Sequence, residues 1–209
     1  NPEEKLRVKY MNDSKEPKDH EIVPLLELYT EGRLNDLINS CHLVQQKFPE
    51  SSKVYNILGV AYNGLSNFDL AITCFENALK MDPNYPEAYN NLGNTFKLKG
   101  DFQKAVLSFK KAVFLKPQFA EAFNNMAASY QACGDYALAI DYFQKAIDIK
   151  SDFVDAYINK GNLLRINGHI EESIKILQDA LRVDPNCAET HFSIGLSLLN
   201  KQCLKEAIK

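Results

Sequence analysis

Between residues 86 and 119 the apolar positions advance in steps of three and four. Tyr89, Leu92, Gly93 and Phe96 put one stripe on a first helix, and Phe102, Ala105, Val106, Phe109 and Ala112 put another on a second. Gly100 supplies the left-handed turn that ends the first helix. The second is predicted to stop ahead of Pro117, because the residue before proline is pushed out of the α region. Gly93 and Ala105 are small between large neighbours, which lets two helices approach closely. The segment is therefore predicted to be an antiparallel helix pair.

The pattern returns every 34 residues. Gly59, Gly93, Gly161 and Gly195 share one slot, with Ala127 between them; Tyr55, Tyr89, Phe123 and Tyr157 share another. Tyr62, Phe96 and Tyr130 follow, then Phe68, Phe102 and Tyr136, then Phe75, Phe109 and Phe143. Small slots carry Ala71, Ala105 and Ala139, and Ala78, Ala112, Ala146 and Ala180; Pro83, Pro117 and Pro185 recur, with Ser151 breaking their series. Residues 52–85, 86–119, 120–153 and 154–187 are four full units. A degenerate unit covers 18–51, where Gly32, Leu34, Leu37 and Pro49 fit but Leu25 replaces the glycine and Cys41 the aromatic. A partial unit covers 188–209.

This array resembles tetratricopeptide repeats, whose signature is an aromatic, Leu-Gly, an aromatic, Ala, an aromatic, Ala and Pro at these offsets. The resemblance implies an all-α fold, a right-handed superhelical solenoid of about eleven antiparallel helices in which each unit touches only its neighbours. Residues 1–20 lie outside the pattern and mix Glu3, Glu4, Asp13, Glu16 and Asp19 with Lys5, Arg7, Lys9, Lys15 and Lys18. They are expected to form a polar arm or linker, with a short helix around Leu6 to Met11, ahead of a repeat domain over 21–209. At the other end a last helix is expected to begin near Leu204, leaving it roughly two turns short at Lys209. The expectation is a chain that continues beyond Lys209, its apolar face at Ile194, Leu198 and Leu204 frayed or covered by a neighbouring molecule. Self-association would run through that uncapped end.

Composition narrows the function. Lys and Arg total 24 against 27 for Asp and Glu, a formal charge of −3, where a phosphate-holding surface would be basic; nucleic acid is not an expected partner. No stretch approaches eighteen apolar residues, so no membrane insertion is expected. Cys41, Cys74, Cys133, Cys187 and Cys203 are odd in number, far apart and without a CxxC pair. They read as free thiols of a reducing, cytoplasmic compartment, not as a disulfide framework or zinc site. His20, His42, His169 and His191 add no ligand cluster, so neither metal nor cofactor is expected.

Catalytic constellations are missing as well: there is no GxSxG, HExxH, Walker loop or GxGxxG, and the carboxylates recur with the unit instead of converging. No residue is a candidate nucleophile or general base. The repeating aromatics, with Tyr85, Phe119 and Phe153 at the junctions, are read as packing. Lys97, Lys99, Lys104, Lys110, Lys111 and Lys116 are dense, but the second helices of such an array line its outer wall, where a solvated charged face is the default.

One polar pattern repeats where packing does not demand it. Asn91, Asn125 and Asn159 share a slot, and Glu87, Glu121, Asp155 and Glu189 share another four residues earlier, so acid and amide are neighbours on one helical face. Asn90 and Asn124, with Asn56, precede the amide slot by one residue; Asn94 and Asn162 follow it by three. Asparagine is a poor helix former, so its repetition points to a requirement. Opposite the apolar stripe, this face would line the concave surface of a stacked array.

The two ladders resemble those of O-linked N-acetylglucosamine transferase-type repeats. That resemblance implies that Asn91, Asn125 and Asn159 grip the backbone of an extended polypeptide while Glu87, Glu121, Asp155 and Glu189 contact its side chains. Ile57 and Ser193 break the amide ladder at its ends, and Lys53 reverses the acidic one. The carboxylate-clamping class of these repeats uses Lys and Arg where this groove has acids. The expected function is a non-catalytic scaffold binding an extended peptide or protein segment. The alternative is a recognition or oligomerisation arm of a larger enzyme, resembling arrays that precede glycosyltransferase, sulfotransferase or oxygenase domains.

Overall fold

One slot sets the turn inside each helix pair. In the computed structural model, which describes residues 16–207, Gly32, Gly100, Gly134 and Gly168 have φ between +72° and +85°. Ser66 fills the same slot at φ +60°. The amide of Ser66 donates to the Asn63 carbonyl at 3.0 Å and that of Asn67 to the Tyr62 carbonyl at 2.9 Å, so the turn closes as it does at Gly134 and Asp135. The second helices end the same way throughout. Asp82, Lys116, Lys150 and Asp184 have φ between −132° and −129°. Lys150 precedes Ser151, not proline, yet adopts that conformation; the break in the proline series leaves the helix end unchanged.

Eleven helices and no strand occur among the described residues. They are α1 (Asp19–Thr30), α2 (Leu34–Lys47), α3 (Ser52–Gly64), α4 (Phe68–Met81), α5 (Pro86–Leu98) and α6 (Phe102–Leu115). Then come α7 (Ala120–Ala132), α8 (Tyr136–Ile149), α9 (Val154–Ile166), α10 (Ile170–Val183) and α11 (Ala188–Ala207). The fold is an all-α helical repeat array. It divides into two compact units, one through Gly100 and one from Asp101 onward.

In the first unit, Leu25, Leu37, Cys41, Val54, Leu58 and Ala61 form one buried cluster, so the degenerate 18–51 segment contributes core despite its substitutions. Ala71, Phe75 and Leu92 form a second. A Cβ on Gly59 would sit 2.5 Å from Phe75 Cε1, so the glycine admits the ring. Glu16, from the segment expected to be a polar arm or linker, reaches the start of α3. Its carboxylate accepts from Ser51 Oγ at 2.5 Å, from the Ser52 amide at 2.8 Å and from Ser52 Oγ at 2.7 Å. Negative charge at a helix N-terminus is favourable. The helix expected around Leu6 to Met11 lies outside the described residues.

In the second unit the small and large slots are equally closed. Ala105, Phe109, Ala112, Ala139, Phe143, Ala146 and Ala180 have no solvent exposure. A Cβ on Gly161 would sit 2.6 Å from Leu177 Cγ, the aliphatic counterpart of Phe75. One expectation fails here. No second helix starts near Leu204, because α11 runs unbroken over its 20 residues from Ala188 to Ala207. The glycine slot of the preceding turns falls on Gln202, which supplies no left-handed residue to stop the helix. Ile194 is half-buried and Leu198 is exposed; the side chain of Leu204 lies outside the described residues.

Candidate functional site

The amide slots lie on α3, α5, α7 and α9, the first helices of their pairs, and the structure joins them two by two. Asn91 Nδ2 donates to Asn56 Oδ1 at 3.0 Å, and Asn56 Nδ2 donates onward to Tyr85 Oη at 3.3 Å. In the second unit Asn159 Nδ2 donates to Asn124 Oδ1 at 3.1 Å. In both bonds the acceptor sits one residue before the ladder slot of its own repeat and the donor fills that slot in the next repeat. Asn56 and Asn90 are buried; Asn91, Asn94, Asn124, Asn125, Asn159 and Asn162 are half-buried. Sequence spacing treats the two amide slots as parallel rows and gives no sign of this pairing, because the bond spans 35 residues and not 34.

Pairing leaves capacity for a ligand. A primary amide has two N–H donors and an oxygen with two lone pairs. In Asn91 and Asn159 the bond to the preceding repeat uses one donor and leaves the acceptor side of the amide outside that bond. Thr95 and Ser129, buried below the ladder, donate to the backbone carbonyls of Asn91 and Asn125 at 2.9 Å. They satisfy α5 and α7 locally and pack their small side chains inward.

The acidic slots differ among themselves. Glu87 is half-buried, whereas Glu121, Asp155 and Glu189 are exposed. Lys150 Nζ lies 3.3 Å from Glu121 Oε1. The Glu121 carboxyl is held below the usual range, first by its own backbone amide and then by Lys150. Burial, reinforced by the charge of Glu87, pushes the Tyr85 phenol up to about 12, so it stays a neutral partner for Asn56. Lys53 reverses the acidic series, but Glu16 docks beside it: the Lys53 amide points to Glu16 Oε2 at 3.4 Å. A carboxylate therefore caps the start of α3 although the repeat does not encode one. No 34-residue grid could have found it.

A lysine is another departure from the repeat. The slot of Leu58, Leu92 and Met126 carries Lys160 in the unit 154–187. Lys160 lines a cleft of about 380 Å³ with Gln144, Tyr157, Leu164, Glu172 and Asp179. Its ammonium donates to Gln144 Oε1, and burial lowers its pKa. Reading the slot column by column would have exposed the substitution.

Among the described residues no group of three or more His, Cys, Asp or Glu could hold a metal, and Cys41, Cys74, Cys133 and Cys187 are free thiols. Burial raises the Cys41 thiol to about 12 and that of Cys74 to about 11, which makes both poor nucleophiles. No described helix is long and apolar enough to cross a membrane.

Sequence models of the tetratricopeptide repeat match residues 86–119, 120–153 and 154–187, and a further TPR repeat model matches 59–100. No curated protein matches the chain. Solved structures share the fold. MamA is similar with a TM-score of 0.70 at 24% identity, over 78% of this chain and 95% of that one. YrrB, described as a TPR protein with an unusual peptide-binding site, gives 0.64 at 19% identity over 78% and 84%. A thermophilic TPR protein of Thermus thermophilus gives 0.69 at 17% identity over 86% and 98%.

Proposed function

The chain belongs to the tetratricopeptide repeat family, and from that premise we propose that it is a non-catalytic scaffold that binds an extended polypeptide along its asparagine and acid slots. The observation that carries this reading is the amide pairing. Asn91 and Asn159 are each fixed by a bond to the preceding repeat, so their remaining donor and acceptor are held in place before a ligand arrives. An amide can accept from a peptide N–H and donate to a peptide carbonyl, so the ladder reads backbone without demanding one sequence. Glu87, Glu121, Asp155 and Glu189 would select basic or hydroxyl side chains.

The test uses a lysine- and serine-rich synthetic peptide and the same peptide with N-methylated backbone amides. The unmodified peptide should bind and the methylated one should not. Replacing Asn91, Asn125 and Asn159 with alanine should weaken binding by roughly 2–4 kcal/mol, at about 0.5–1.5 kcal/mol per hydrogen bond. Because Asn91 and Asn159 also join repeats, the triple variant is compared at a temperature where its circular dichroism matches the parent. Exchanging Glu87, Glu121 and Asp155 for their amides should remove the salt-sensitive part of the affinity. Equal binding of the methylated peptide, or unchanged binding by the triple variant, sinks the reading.

A further inference from the structure

The four full units act as controls for one another, and one outer helix departs from its counterparts. The slot that carries Thr73, Asp141 and Lys175 carries Leu107 on α6, and the slot that carries Lys80, Asp148 and Arg182 carries Phe114. All six counterparts are exposed, as polar side chains should be. Leu107 is 63% exposed and Phe114 80%. They are seven residues apart, two turns along one face and about 10 Å in rise. Single exposed apolar residues need no explanation, but two aligned ones in slots that are otherwise polar do.

Charge surrounds this stripe. On a helical projection Lys110 lies on one side of Leu107 and Phe114, and Lys104 and Lys111 lie on the other; all three are exposed. Lys110 Nζ lies 5.6 Å from the centre of the Tyr130 ring, which holds that cation near the wall. Lys104 is paired with Asp101 at 2.8 Å, at the start of the helix.

We propose that the outer face of α6 is a second docking surface, which takes an amphipathic helix of a partner protein whose apolar stripe is flanked by carboxylates. Two apolar side chains at i and i+7, with cations on both sides, form the complement of such a helix laid along α6. An anionic membrane fits less well. A flat bilayer would have to accommodate the outer helix α8 as well, and there the same slots carry Asp141 and Asp148. A single acidic helix needs only the face of α6. This surface is independent of the asparagine slots.

The experiment titrates the whole chain with three synthetic helical peptides that share a Leu/Phe stripe and differ only in flanking Glu, Gln or Lys. The Glu peptide should bind at least about tenfold tighter than the Lys peptide at low salt, and the gap should narrow as salt is raised. Leu107→Thr with Phe114→Gln leaves the charge unchanged and should weaken binding of the Glu peptide by about tenfold or more. Lys110→Glu with Lys111→Glu should shift preference toward the Lys peptide. All four positions are exposed, and unchanged thermal melts verify folding. The Asn91, Asn125, Asn159 alanine variant should bind the Glu peptide as the parent does. Indifference to flanking charge overturns the proposal, as does full binding by the Thr/Gln variant. So does binding of phosphatidylserine vesicles, lost in that variant, without any peptide binding. A mass that rises with concentration in the parent but not in that variant would instead assign the face to a second copy of the chain.

Discussion

The same amide pair sits in different company in the two units. In the first, Asn56 accepts from Asn91 and passes its own donor to Tyr85, a half-buried phenol, with Glu16 docked at the start of the same helix. In the second, Asn124 accepts from Asn159, but the junction residue is Phe153, which has no hydroxyl; Lys150 lies 5.1 Å from its ring centre instead. A polar chain of three side chains in one place becomes an amide pair beside an apolar ring in the other. The repeat fixes where the amides meet, and the junction residue decides how far the network extends.

The largest expected effect comes from closing the helix approach. Gly59→Ala places a Cβ against the rigid Phe75 ring, and Gly161→Ala places one against the branched, more adaptable Leu177. Overpacking of this kind costs about 1–3 kcal/mol, with Gly59→Ala at the upper end. Urea unfolding of both variants measures the difference, and equal losses would show that the two units accommodate strain alike.

Tyr85→Phe makes the first junction resemble the second. It leaves the buried Asn56 donor without its acceptor and should cost about 1–2 kcal/mol. It should also remove a pH effect. The folded Tyr85 pKa is raised from 10.0 to about 12, so between those values the unfolded chain loses a proton that the folded chain keeps. Stability therefore falls across that window in the parent, and this component should vanish in Tyr85→Phe.

Lys160 should behave in the opposite sense. Burial lowers its folded pKa below 10.5, so between the two values the unfolded chain holds a proton that the folded chain has lost, and stability rises with pH. Lys160→Leu restores the residue found at positions 58 and 92, should add about 1 kcal/mol near neutral pH, and should abolish that rise. Melting curves between neutral pH and pH 10.5 decide; a variant less stable than the parent would show that the ammonium is satisfied in its cleft. The smallest change is Ser66→Gly, which relieves a left-handed residue and should gain at most about 1 kcal/mol after the added chain entropy.

Most of the fold was legible because it rests on short-range periodicity. The stripes at Tyr89 to Phe96 and Phe102 to Ala112 needed only residue type and spacing, and the turn needed only Gly100. The end of α11 was not legible, because a partial unit offers a period but no turn residue, and Gln202 let the helix continue. At the candidate site the slots were visible and their bonding was not. Which atom Asn91 donates to depends on how far one repeat rotates over the last, a quantity that no single repeat contains. Glu16 escaped for the opposite reason, since it belongs to no repeat and reaches α3 by geometry alone. Leu107 and Phe114 lie outside the stripe of Phe102, Ala105, Val106, Phe109 and Ala112, and it is their exposure in slots that are polar elsewhere that sets them apart.

The asparagine pairs also set the grain in which the array comes apart. A bond between residues 35 positions apart exists only while both repeats are folded, so neither partner can loosen without leaving the other's polar atom stranded. Opening should then proceed in whole-repeat steps, with amide hydrogens exchanging as blocks of about one repeat. The steps need not be equal: at the boundary that Asn159 ties, Tyr157 Oη also donates to the Ser151 carbonyl at 3.1 Å and Lys160 to Gln144, and the amides there should be slow to exchange.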